Sequence, residues 1–227
     1  MTLATDLRSG TTSLTELAAR DLDAFWAQIA VYEAAAYAGD AGAALVLREA
    51  LMDVLPSLVG SYQDAAISLA ADLYDLERIR LDIPGSHRAP GIVIPDGGTA
   101  LAGWALSEAV DAEGLRGLVA GGVTKRVMQA ANRTVMGAAS SDRQATGWQR
   151  VARTGGCTFC RMLAGRGAVY TRESADFAAH GNCHCVAAVA WTGRAVPVKP
   201  YVPSQRTSTA AERAAVRDWI ADHDIPA

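Results

Sequence analysis

The residues best suited to do chemistry in this chain lie between Cys157 and Cys185. Gly156-Cys157-Thr158-Phe159-Cys160 is followed, after 19 residues, by His180-Gly181-Asn182-Cys183-His184-Cys185. All 4 cysteines of the chain fall here, with two of its 4 histidines. A C-x-x-C pair sets two thiolates on one tight turn, and a second pair from H-x-x-C or C-x-C can close a tetrahedron around a metal ion. Thiolate and imidazole are soft enough ligands to favour zinc over magnesium or calcium. Five groups compete for four places: Cys157, Cys160, His180, Cys183 and Cys185. Two ligand sets stand open. One is Cys157, Cys160 and His180 with either Cys183 or Cys185; the other is all four cysteines. His184, between two cysteines, is expected to turn outward. A four-ligand site of this kind is closed and structural, adding folding energy and leaving no position for a substrate.

Other chemistries fit the same residues less well. A disulfide across C-x-C is strained, and C-x-x-C bridges are commonly redox sites. A Cys–His protease using Cys183 and His180 would compete with zinc for the same atoms. Ser140, Ser141 and Asp142 with His184 have the residue types of a serine protease, but nothing in their spacing brings them together. The chain has no G-x-S-x-G, no H-E-x-x-H and no phosphate-binding glycine loop. A zinc deaminase would carry H-x-E ahead of its C-x-x-C, and this chain does not. No catalytic residue is assigned, and a non-enzymatic role is expected.

The cysteine region also carries a family resemblance. His180-Gly181-Asn182-Cys183-His184-Cys185 resembles the H-P-N-C-R-C signature of the phage Mu protein F-like minor head proteins. Gly147-Trp148-Gln149-Arg150-Val151-Ala152, Cys157-Thr158-Phe159-Cys160-Arg161-Met162-Leu163-Ala164 and Arg166-Gly167-Ala168-Val169-Tyr170 resemble the minor capsid proteins of actinobacterial tailed phages. The likeness covers about residues 130 to 195. Gly181 stands where the signature has proline and His184 where it has arginine; neither is a proposed ligand. The resemblance implies a structural minor capsid or head morphogenesis protein, held in the virion interior near the portal. Its implied partners are the portal and the major capsid protein. Some relatives are labelled capsid maturation proteases, which is the alternative reading.

Charge is divided along the chain. The net of −3 hides a segment 1–115 with 6 Lys+Arg against 17 Asp+Glu, and a segment 116–206 with 13 against 3. A basic stretch of this size can meet phosphate or an acidic protein surface. Arg126, Arg133 and Arg150 are the candidate nucleic-acid contacts, with packaged DNA as a possible further partner. The competing reading is that the two segments neutralise each other within one fold. No run of about eighteen apolar residues exists, so no membrane span is expected. The start, Met1-Thr2-Leu3-Ala4-Thr5-Asp6, does not read as a signal peptide, and synthesis in a reducing host cytoplasm is expected.

The elements that must position the cysteines follow from periodicity. Residues 1 to about 12 are polar and expected as a loose arm. Helical spacing runs from 13 to 38, capped by Thr12 or Ser13, and again beyond Gly39-Asp40-Ala41-Gly42 through Leu51, Leu55, Leu58 and Tyr62 to Leu76. Together these two predict a long antiparallel helical hairpin, with Pro56 kinking the second helix or starting a new one. Residues 82 to 98 are turn formers around a short Ile92–Ile94 strand, with His87 solvated. Helices are predicted at 99–110 and 112–139. Short strands are predicted at 146–153, 168–171 and 184–191, packed by Trp148, Tyr170 and Trp191, and a unit this small calls for a metal staple. Pro197 to Pro203 reads as a stiff spacer before a last helix capped at Thr209. The expected fold class is α+β, divided as a helical domain 1–140, a small zinc-binding module 141–195, and a proline-rich spacer with terminal helix 196–227.

Overall fold

A computed structural model describes residues 2–92, 95, 97–156, 158–167, 170, 177, 183–192, 209, 211, 214 and 215. Within them the order is α1 (Leu3–Tyr37), α2 (Ala41–Arg80), α3 (Gly98–Glu108), α4 (Ala112–Ser141), β1 (Gly147–Val151), α5 (Thr158–Ala164) and β2 (Val186–Ala190). The chain is α+β: mostly helical in its amino-terminal part, then a small two-stranded sheet beside the cysteines.

The hairpin of α1 and α2 is antiparallel. Its contacts pair residues from opposite ends of the two helices: the Tyr62 hydroxyl donates to Asp21 at 2.7 Å, and Arg80 reaches Asp6 at 3.3 Å. The Asp40 carboxylate caps α2 by accepting from the Ala43 N–H at 3.0 Å. The loose arm expected at the amino terminus is instead the first three turns of α1. Thr2 is its cap, and Leu3, Ala4 and Leu7 are buried. The polar run misleads because its hydroxyls are satisfied along the helix itself: Thr11 donates to the Leu7 carbonyl at 2.7 Å and Thr15 to that of Thr12 at 2.8 Å.

Pro56 does not begin a new helix either. α2 continues through it, with Leu51, Leu55 and Val59 fully buried around it. An interior proline costs a helix about 3 kcal/mol. Burying three aliphatic side chains returns about 1.5–3 kcal/mol each, so packing wins. The first turn of α3 lies directly on this proline. A Cβ on Gly98 would stand 2.5 Å from the Leu55 carbonyl oxygen and from Pro56 N and Cα, so only glycine fits.

The described part of the connection from α2 to α3 is mostly exposed, as turn formers would be, but it is tied down to α2. Arg78 donates to the Pro84 and Gly85 carbonyls at 3.0 and 2.9 Å, and the Ala89 N–H donates to Asp75 at 2.9 Å. His87 is half-buried, edge-on to Tyr74 at 5.8 Å. Ile92 is irregular rather than strand, and its side chain meets Gly137 of α4; Val93 and Ile94 lie outside the described residues.

β1 and β2 pair antiparallel, from Gly147 opposite Ala190 to Val151 opposite Val186. Trp148 also exchanges both backbone hydrogen bonds with Tyr170, at 2.9 and 3.2 Å, so the one described residue of the middle predicted strand forms a bridge to β1. β2 is buried along its whole length, between the helices and β1. One continuous core runs from Leu3 through the α4 face Val119–Ala139 to Val189. The expected spacer and terminal helix fall almost wholly outside the described residues.

Candidate metal centre

α5 is too short for its periodicity to stand out, and the sequence shows only its cysteine turn. It carries Cys160 on its inner side. The other two described cysteines come from the approach to β2. The Sγ atoms of Cys160, Cys183 and Cys185 all lie within 4.8 Å of one another, and all three residues are buried. Cys160 and Cys183 are separated by 3.7 Å between sulfurs. A disulfide needs about 2.05 Å. Four sulfurs about 2.3 Å from a tetrahedral zinc stand about 3.8 Å from one another. The observed separation therefore matches one edge of a metal-thiolate tetrahedron and excludes a bond between these two sulfurs. The three thiols could hold a metal ion. Cys157 and His180, the other proposed ligands, lie outside the described residues.

The approach to β2 is fixed from behind by a residue that the sequence reading missed. Asn132 on α4 is 0% exposed. Its Nδ2 donates to the Cys185 carbonyl at 3.2 Å, and its Oδ1 accepts from the Ala187 N–H at 2.7 Å. One amide thus replaces two ladder bonds and holds Cys185 against the helix. A polar residue among Met128, Ala131 and Val135 on the buried face of a helix was the available signal. On the opposite side, Arg8 of α1 donates to the Val151 and Ala152 carbonyls, each at 3.2 Å. The aromatic packing is as expected for Trp148 and Tyr170, which stack at 4.6 Å, with Phe177 added at 5.9 Å from Trp148. Trp191 instead leaves the sheet and meets Tyr74 and Arg78 of α2, at 5.6 Å each.

The thiols share charge unequally. Cys185 is pushed down to about 5, first by the hydrogen bond from the Cys183 thiol, then by the Arg153 N–H, Cys160 and the charge of Arg150, against the opposing effect of burial. Cys183 is pushed up, because it donates to Cys185 and is buried. One thiolate is thus already favoured among the three, and metal binding would extend this to the rest. His184 is half-buried rather than turned fully outward; burial, then the Arg153 charge, lowers its pKa. It is not gathered with the three sulfurs.

The proposed nucleic-acid residues separate. Arg126 and Arg133 lie seven residues apart on α4, hence on one side of it, and both are half-buried. Arg126 donates to the Gly122 carbonyl at 3.2 Å. Arg150 is 3% exposed. It shares a face of β1 with Trp148, lies over the Phe177 ring at 3.7 Å and donates to Cys160 Sγ at 3.8 Å. Its guanidinium faces the sulfurs, so an external phosphate is not its partner; strand alternation with buried Trp148 was the overlooked signal. The serine-protease set is not assembled around His184. Ser140 and Ser141 donate to carbonyls of their own helix, at 2.7 and 3.0 Å, while Asp142 binds Arg78 and accepts from Tyr74 at 3.1 Å.

Comparison with known proteins gives one family. The chain belongs to the VG15 protein family, a viral family, whose model matches residues 2–210. No curated protein matches the chain. No solved structure matches it either.

Proposed function

We propose that this member of the VG15 family is a structural minor capsid protein of a tailed phage, acting in head morphogenesis inside the head near the portal, with a structural zinc ion at the cysteine centre. The observation that carries the reading is the gathering of three buried sulfurs at the edge spacing of a metal-thiolate tetrahedron. Ligands enclosed in this way staple a fold; they do not open a coordination position to a substrate. The sheet they join has only two described strands, too little to hold its own core. Membership in a viral family supports a virion-related role, and the cysteine signature's likeness to phage minor head proteins supports the finer one. Cys157 or His180 would supply the fourth ligand.

In this reading residues 1–140 form the scaffold and 141–195 the stapled module, with 196–227 as a tether towards the portal or the major capsid protein. Among the described residues no helix is long and apolar enough to cross a membrane. Packaged DNA is a further proposed partner, with Arg126 and Arg133 on one side of α4 as its proposed contacts.

Mass spectrometry of purified virions of the parent phage tests the reading. The expected result is the protein, present at low copy, in DNA-filled particles, with a deletion giving defective heads. Absence from virions and from assembling heads would overturn it. Cleavage of the capsid protein on co-expression, abolished by a substitution at His184 or Ser141, would put the maturation protease in its place.

A further inference from the structure

Arg150 is a full positive charge set inside the protein next to sulfur. A buried guanidinium is costly unless anionic groups face it. Its Nη1 donates to Cys160 Sγ at 3.8 Å, and Cys160 lies 3.7 Å from Cys183. Thiols that bind a metal do so as thiolates, and a cluster of metal-bound thiolates is the negative charge that a nearby cation compensates. The guanidinium is also held in place. Its plane rests over Phe177 at 3.7 Å, and Phe177 packs in turn on Trp148, two residues before Arg150 on β1. The backbone of β1 is pinned on both sides, by β2 through the Arg150–Ala187 register and by Tyr170 through Trp148. The cation is therefore delivered to the sulfurs by a fixed strand and a fixed ring.

We infer that Arg150 is a positioning and charge-compensating residue of the metal centre, orienting Cys160 and offsetting the negative charge of the metal-bound thiolates, and so raising the affinity of the site for a divalent metal ion. This rests on the metal reading above and deepens it. A divalent ion with four thiolates carries two net negative charges, and with three thiolates and an imidazole it carries one. One internal cation reduces either burden in a region closed to water. Its hydrogen bond orients Cys160, the ligand on α5, towards the two that arrive with β2. Groups that act on a metal through its ligands typically contribute 10–100-fold in affinity.

The test uses the full chain, reduced and stripped of metal, titrated with zinc against a chromogenic chelator. Cobalt(II) is added in parallel to read the thiolate charge-transfer band. Arg150→Gln is expected to bind zinc about 10–100-fold more weakly, with the cobalt band keeping its intensity because the same sulfurs bind. Arg150→Lys, which keeps the charge, is expected to recover most of the loss. Phe177→Leu, which keeps the cation but removes its platform, is expected to fall between Arg150→Gln and the wild type, and it supplies the test if Arg150→Gln does not fold. Zinc affinity equal to wild type in Arg150→Gln or in Phe177→Leu would overturn the inference, as would Arg150→Lys binding as weakly as Arg150→Gln. A wild-type chain that takes up no zinc would overturn the metal reading itself, a result distinct from equal binding by wild type and variant.

Discussion

Asn132 and the Arg78–Asp142 pair show how much of this protein rests on single buried polar contacts. Asn132 serves one carbonyl and one N–H that would otherwise be buried without partners. Asn132→Ala should destabilise the protein by about 2–4 kcal/mol, since two buried backbone groups lose their bonds; denaturant unfolding reads this directly. Arg78 and Asp142 form a buried ion pair joining α2 to the end of α4. Asp142→Asn should cost about 3–5 kcal/mol near neutrality, because it leaves the guanidinium buried without its charge partner. The pH dependence has a definite sign. Burial alone would raise the Asp142 pKa, but the Gln144 N–H and Arg78 outweigh it and hold the carboxyl below its usual value. Its folded pKa is depressed, so the stabilisation is present above the ordinary carboxylate value of about 3.9 and is lost as pH falls through the lower folded value. Unfolding free energies of wild type and Asp142→Asn, measured from pH 7 down to about pH 2, should therefore converge only at the acid end. A difference that stays constant to the lowest pH would contradict this.

At the scale of elements, the contact between α3 and the proline turn of α2 is the tightest fit. Gly98→Ala should lower the thermal midpoint by several degrees, corresponding to about 1–3 kcal/mol of overpacking against backbone that has no rotamer to change. The helical hairpin, α3, α4 and both strands were legible in the sequence because their periodicity is local and long enough to read. The cysteine cluster was legible because C-x-x-C and C-x-C fix ligands within a few residues. What was not legible depended on distant partners. The helix reaches back to Leu3 because Leu7 and Gly10 find the core, Gly10 against Leu69 of α2. Arg150 read as one charge in a basic stretch, and only tertiary packing turns it towards sulfur. Phe177 lies in a segment with no periodic signal, and its place beneath Arg150 could not be inferred from spacing. His87 read as solvated because Tyr74, its neighbour, is distant in sequence.

On the scale of the whole molecule, the continuous core makes the helical part the support on which the cysteine module is built. Among the described residues the module adds two strands, one short helix and three of the thiols, so a bound ion should contribute most to its local stability. Stripping the metal with a chelator under reducing conditions should leave the far-UV signature of α1, α2 and α4 largely unchanged. Amide exchange should rise in β1, α5 and β2. Loss of the helices together with the module would show that the scaffold does not hold alone.

The most direct measurement is the metal content of the purified, reduced full-length protein by elemental mass spectrometry, beside Cys160→Ser and Cys183→Ser. The expected result is about one zinc per wild-type chain, with the metal lost from both variants. Wild-type protein that carries no metal, and takes up none when zinc is supplied, would contradict the central claim that the three buried sulfurs belong to a structural metal centre.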